Sequence, residues 1–363
     1  MTGTWVLYLP HIKSKFSLND GQIGLALFCL ALGLLISIPF IPSINKKIGV
    51  GRSTKVGIIL YALSFNLPLL APHYYALCGS LLLTGIFSGF TDVSMNALVS
   101  TIEKKDSIHI MSSAHGFFSL GGFLGAGIGS ILLGLLSNPA MHMLIISLFL
   151  LLTNWYFSKY YNNISEKKIT EINSENKIRN IRPLLGLSVV AFIIMCNEGA
   201  VEHWSNLFLF DIVQVLESQA GLGFIAFSLF MTIGRFLGDG ISKKVGSINI
   251  IKGGTAIALI GYILILSTHL SLSILGFGIL GLGLSVVIPE IFRLAGNTKG
   301  VPASVGISMV SGIGFAGFLI GPVLLGLISN WSSLILSFAS LAFSIIVAFV
   351  LVLVGLNKKY FSS

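Results

Sequence analysis

Polar residues in this chain fall in short clusters separated by long apolar runs. A helix needs about 20 apolar residues to cross a hydrocarbon core about 30 Å thick. Runs of that kind lie near 21–44, 56–72, 75–102, 110–136 and 141–158, and again near 183–210, 221–240, 252–268, 272–292, 305–329 and 334–356. The pattern predicts eleven membrane-spanning helices, preceded by a short apolar piece, "MTGTWVLYLP". Ten residues rise only about 15 Å as a helix, and the piece has no signal-peptide pattern of basic region and cleavage site. The expectation is a start upstream of Met1, or a truncated gene.

Composition agrees with the pattern. Hydrophobic residues make up 54% of the chain and charged residues 10%, with a mean hydropathy of +0.93. A soluble domain carries about a quarter charged residues, so too few are present here to cover a wetted surface. The chain reads as an all-α integral membrane protein.

The net charge of +9 could suggest nucleic acid, but its distribution does not. Of the 22 Lys and Arg, 19 lie in "NKKIGVGRSTK", "EKKDSIH", "KYYNNISEKKITEINSENKIRNIR", "GDGISKKVGSINIIK", "RLAGNTKGVPAS" and "NKKYFSS", and Arg235 sits just inside the same face. The opposite loops hold only Lys13 and Lys15. The positive-inside rule makes the first group cytoplasmic, the C-terminus with it. The expected location is the bacterial inner membrane, and no nucleic-acid partner is implied. Cys29, Cys78 and Cys196 all fall within spans, too scattered for a disulfide framework or a metal site, and read as small packing residues.

The longest polar stretch, 159–182, divides the chain into an N-terminal membrane half, 1–158, and a C-terminal half, 183–363. The halves repeat each other. "QIGL" at 22–25 returns as "QAGL" at 219–222, "INKKIG" at 44–49 as "ISKKVG" at 241–246, and "IGSILLGLLSN" at 128–138 as "IGPVLLGLISN" at 320–330. Near-constant offsets at equivalent places in the span order point to duplication. With six spans a side, counting the partial first, the repeat is parallel, about an axis along the membrane normal.

With these features the chain resembles a major facilitator superfamily transporter. The superfamily's signature loop matches closely at "GRFLGDGISKKVG", with Gly234, Arg235, Gly238, Asp239, Lys243, Lys244 and Gly246. The first-half loop departs from it, with Ile41 and Pro42 where the repeat offset would place Gly and Asp. "GFTDVSMNALVSTIE", "HGFFSLGGFLGA" and "NEGAVEHWSNLFL" are similar to a little-characterised bacterial branch, distantly similar to fucose-type sugar:proton symporters. The resemblance implies a major facilitator fold of two pseudo-symmetric six-helix halves, here with the first helix truncated. It implies alternating access to a small solute, and a neutral monosaccharide as the first substrate to test.

Ionisable residues inside a membrane cost about 2.5–3.5 kcal/mol each on insertion scales and are functional suspects. Glu198 and Glu202, four apart, share a helix face. Two carboxylates side by side in low dielectric resist ionising together, which suits a proton-coupled carrier. The alternative is a permanent ion pair, for which no Lys or Arg at mid-depth offers itself. Asp92 and Asn96, also four apart, share a face with Ser88, Gly89 and Gly85. A structural interhelix hydrogen bond is the plain reading. The fucose-type resemblance instead implies that Asp92 is the proton site, with Asn96 following as it does there.

His115, about 7–8 Å inside the cytoplasmic edge, either lines a cavity or snorkels. His203 points about 100° away from Glu202 and reads as lying at the periplasmic end. Trp204, Ser205 and Asn206 offer an aromatic plate and hydrogen-bonding groups that suit sugar stacking, though Trp is also common at membrane interfaces. The candidate substrate contacts are therefore Asn96, His115, Trp204 and Asn206. Glu290 and Arg293 read as a local ion pair at a cytoplasmic helix end, and Arg235 with Asp239 as part of the signature-loop latch.

No metal-protease, phosphate-loop or Cys/His cluster motif is present, so neither an enzyme nor a cofactor is expected. Expected partners are a small-molecule substrate, protons and the lipid bilayer, with the protein working as a monomer. The alternatives are a proton-driven exporter of drugs or metabolites and a non-transporting sensor. Superfamily drug antiporters carry Gly-Pro in the fifth span. Here Gly129-Ser130 stands there and Gly321-Pro322 is in the eleventh, which speaks against drug export.

Overall fold

The computed structural model describes residues 20–133, 138–166, 174–215 and 221–355, with residue 219 and scattered positions before residue 20. Lys13, the C-terminal "NKKYFSS" and part of the 159–182 linker lie outside the described residues.

Helices account for nearly all of the rest. In chain order they are α1 (Asp20–Ser37), α2 (Ile41–Ile48), α3 (Val50–Ser64), α4 (Leu67–Leu70), α5 (Tyr74–Asp106), α6 (Met111–Leu133) and α7 (Pro139–Tyr161). Then come α8 (Ser174–Leu207), α9 (Leu222–Val245), α10 (Ser247–Ile265), α11 (Leu270–Ser285), α12 (Val287–Gly296), α13 (Ala303–Trp331) and α14 (Leu334–Gly355). Among the described residues, ten stretches are long and apolar enough to cross a membrane, matching ten of the eleven expected spans. The remaining one, expected at 110–136, is α6, several of whose side chains lie outside the described residues. Phe149, Leu152, Trp155, Ile263, Phe343 and Val354 are exposed, as lipid-facing residues would be.

The helix breaks have local causes. α2 and α9 end at Gly49 and Gly246, with φ of +88° and +84°. These are equivalent positions in the two repeats, and the left-handed turn that glycine tolerates closes each helix there. The single span expected at 272–292 divides into α11 and α12 around Val286. Pro289 causes this, because it has no N–H and its ring crowds the carbonyl four residues back, at Ser285.

The chain forms two compact units, Met1–Thr101 with Phe117–Lys168, and Ile102–Gly116 with Ile169–Ser363. The end of α5, the following loop and the first turn of α6 therefore pack within the second unit, which no hydropathy pattern reveals. The first unit has a core of Trp5, Tyr8, Phe65, Leu77, Leu81 and Met143. The second is centred on Phe208, Phe277 and Phe338, with ring centroids 4.5–6.2 Å apart. Within it α8 and α13 meet backbone to backbone. A methyl group at Gly317 would strike the Phe192 carbonyl, and one at Gly321 the Cys196 carbonyl. All three cysteines are free, and Cys29 and Cys78, expected as small packing residues, neighbour each other in the first unit.

Candidate functional site

Within the second unit, α8 and α9 bring together the acids that the sequence marks as suspects. Arg235 Nη2 donates to Glu198 Oε1 at 3.1 Å, with both side chains largely buried. This corrects the expectation that no basic partner was at hand. Glu198 has one, supplied by the signature stretch on α9. Glu202, a turn further along α8, lies within electrostatic reach of both Glu198 and Arg235.

Neighbouring groups on α8 are used within the protein. His203 Nδ1 donates to the Gly199 carbonyl at 2.7 Å. Trp204 Nε1 donates to the Pro322 carbonyl at 3.1 Å, and its ring lies against Gly326. The indole thus staples α8 to α13 at the proline. Asn206 is exposed. Deeper in the bundle, Tyr262 Oη donates to Asn197 Oδ1 at 2.6 Å, and Asn197 Nδ2 donates to Ser344 Oγ at 2.9 Å.

A second cluster surrounds Arg293. The sequence suggested a local pair with Glu290 at a helix end. Instead, all ten residues of α12 are buried and Arg293 is the hub of a network. Nε donates to Glu103 Oε2 at 3.0 Å, and Nη2 to Glu103 Oε1 at 3.0 Å and Asp239 Oδ1 at 2.6 Å. Nη1 donates to Ser242 Oγ at 2.7 Å and to Glu290 Oε1. All five guanidinium N–H groups are used, which a lysine could not reproduce. Asp239, expected to share a latch with Arg235, takes Arg293 instead.

The two remote carboxylates have a further task. The first four N–H groups of a helix have no partner within it. At the start of α6 the N–H groups of Ile110 and Met111 donate to Glu103 at 2.6 and 2.8 Å. Those of Ser112 and Ser113 donate to Asp239 at 3.0 and 2.6 Å. Two carboxylates thus cap one helix end, where the macrodipole favours negative charge. Gly238 permits the approach, since a side chain there would strike Ser112 and Val286. Nothing in the sequence singles out Glu103. Its run, "EKKD", reads as an ordinary charged loop end, and its partner lies 190 residues away.

His115 lies two residues after the last of these capped groups. Its ring lies on Phe292 with centroids 5.6 Å apart, within electrostatic reach of Arg235 and Asp239. Arg235 and Asp239 are four apart on α9, so one face of that helix joins the acid pair to the capped latch.

In the first unit, Asn96 Nδ2 donates to the backbone carbonyl of Asp92 at 2.9 Å and to its Oδ1 at 3.2 Å. Asp92 Oδ2 is buried and meets no hydrogen-bond donor among the described residues. A carboxylate with one satisfied oxygen and one unsatisfied, in a protein interior, has room for a proton. Among the described residues no group of three or more His, Cys, Asp or Glu is placed to hold a metal ion.

Comparison with known proteins agrees with this architecture. The Major Facilitator Superfamily sequence pattern matches residues 1–305. An uncharacterized MFS-type transporter of Yersinia pestis is 32% identical over 357 residues, covering 93% of this chain and 88% of its own. Among solved structures, FucP in the outward conformation superimposes with a TM-score of 0.82 at 17% identity, covering 97% of this chain and 95% of that one. The E. coli fucose:proton symporter FucP gives 0.79 at 16% identity, covering 96% and 93%. The two-repeat helical architecture, the signature stretch 234–246 and these matches lead to one conclusion: the chain belongs to the Major Facilitator Superfamily and is a multi-pass membrane transporter.

Proposed function

We propose that this transporter carries a small solute across the bacterial inner membrane by alternating access, coupled to protons through Asp92 and the Glu198–Glu202 pair. The observation that carries the reading is the position of Arg235 and Asp239 on one face of α9, one in each charge cluster. Protonating Glu198 removes the carboxylate that holds Arg235. The released guanidinium then competes for Asp239, four residues along the same helix. Asp239 is drawn from Arg293 and from the α6 N–H groups, and the latch at the basic, cytoplasmic end loosens. Rebinding of Glu198 restores it. Proton occupancy at the acid pair and the state of the latch are thereby linked, as coupled transport requires.

A neutral monosaccharide is the substrate class to test first, because the fold neighbour FucP is a fucose:proton symporter. Fold likeness alone does not fix a substrate. The test is a thermal-shift screen of the purified chain at two pH values, against neutral sugars, amino acids, carboxylates and lipophilic cations. A ligand that binds only the folded state raises the melting temperature. A sugar hit whose pH dependence disappears in Asp92→Asn or Glu202→Gln is the expected result. Hits confined to lipophilic cations overturn the sugar reading in favour of export. A ligand that binds but is never accumulated in proteoliposomes indicates a sensor.

A further inference from the structure

The thiols of Cys29 and Cys78 are absorbed by none of the chemistry above. They lie on α1 and α5, whose facing residues rise in number together, so the two helices run in the same direction. At the start of both, Tyr74 Oη donates to the Gln22 carbonyl at 2.9 Å. One turn along α5, the Cys78 thiol lies within hydrogen-bonding and electrostatic reach of Cys29. Four residues further on each helix, Gly33 meets Leu82 so closely that a methyl group would strike the Leu82 carbonyl. Gly85 meets the Leu30 carbonyl in the same way, and Gly89 lies against Leu34 and Ser37, three residues short of Asp92. The two cysteines thus sit in register on a seam where two backbones touch. A disulfide requires Cα atoms about 4.4–6.8 Å apart, a separation that side chains on well-spaced helices do not reach.

Both cysteines are free and partly buried. Cys78 is one turn into α5 and Cys29 about two and a half turns into α1, counted from the ends that connect to the loops poor in Lys and Arg, which the topology proposed above puts in the periplasm. That compartment oxidises thiols. Small size explains a packing cysteine at either position, but it does not explain two thiols facing one another.

From this seam we infer that Cys29 and Cys78 form a reversible disulfide that clamps α1 to the Asp92-bearing helix when the periplasmic face meets a thiol oxidant. The step balances. A thiolate of the pair attacks an oxidising disulfide and forms a mixed disulfide, and the second thiol of the pair displaces the leaving thiol. The protein loses two electrons and two protons, and the oxidant leaves as two thiols. The inference rests on the proposed topology but needs no particular substrate.

The test labels full-length protein with a polyethylene-glycol maleimide after denaturation, and counts adducts by gel shift. Reduced protein should carry three adducts, for its three cysteines. Purified protein treated with oxidised glutathione should carry one, on Cys196. After the same treatment Cys29→Ala and Cys78→Ala should each carry two, and Cys196→Ala none. Cells quenched in acid before labelling should give the same single adduct. Three adducts after oxidation overturn the geometry, as does a dimer band on a non-reducing gel that Cys29→Ala abolishes. Oxidation of the purified protein with three adducts in cells overturns the periplasmic placement. None of these outcomes depends on whether a sugar is transported, so the failure of one proposal leaves the other intact.

Discussion

Replacing Arg293 by lysine tests the latch with the least change of charge. Lysine keeps the positive charge but replaces five fixed N–H donors with three on a compact ammonium. The five bonds to Glu103, Asp239, Ser242 and Glu290 cannot all be made, and at least two are lost. At about 1.5 kcal/mol for a hydrogen bond to a charged group, the substitution costs about 3 kcal/mol. The cost is carried in full because Arg293 is only 4% exposed, so water cannot replace the missing donors. A change of 1 kcal/mol moves the melting temperature of a unit this size by roughly 2–4 °C. Arg293→Lys should therefore melt about 6–12 °C below wild type in scanning fluorimetry of the detergent-purified chain. Arg293→Ala should be worse, because it strands three buried carboxylates, at about 3–5 kcal/mol for a broken buried pair. Glu103→Gln combined with Arg293→Lys should show a coupling of at least about 0.5 kcal/mol, as expected for residues in contact. An Arg293→Lys protein melting within 2 °C of wild type, or additive behaviour in that cycle, would refute the five-donor network.

Other perturbations probe the remaining parts. Glu198→Gln removes the charge that holds Arg235, so gradient-driven accumulation of the solute found by the screen should be lost while exchange across proteoliposomes persists; loss of both would refute a purely proton-linked role. Trp204→Phe keeps an aromatic face but loses the donor to the Pro322 carbonyl, worth about 1 kcal/mol. The melting temperature should drop by a few degrees with ligand affinity unchanged, and the opposite pattern would assign the indole to substrate binding. Gly321→Val places a branched side chain against the Cys196 carbonyl, so α8 and α13 cannot close. A normal monodisperse peak on size exclusion would show that this contact is dispensable.

Ten of the eleven expected spans lie, with approximately the expected ends, where the amino-acid sequence puts them, and the duplication and the sidedness are proposals read from it. Each depends on local properties: the length of an apolar run against the thickness of the hydrocarbon core, the placement of Lys and Arg between runs, and the recurrence of short words at a fixed offset. The suspicion attached to Glu198, Glu202 and Asp92 was legible for the same reason, because a charge inside an apolar run is conspicuous wherever its partner lies. The glycines that end α2 and α9 fall at equivalent places in the repeat, but that they end helices is seen only in the structure. Partnership was not legible. Arg235 stands 37 residues from Glu198, Arg293 stands 190 from Glu103, and Cys29 and Cys78 lie on α1 and α5, with α2, α3 and α4 between them in sequence. Helix periodicity says which residues share a face, but not which face meets which helix. That choice depends on where small residues let backbones approach, as at Gly238, Gly321 and Gly33. A packed helix end with orphan N–H groups also needs a carboxylate from some other segment. Only the tertiary structure decided that Glu103 and Asp239 would supply it, and that Arg293 would hold both in place.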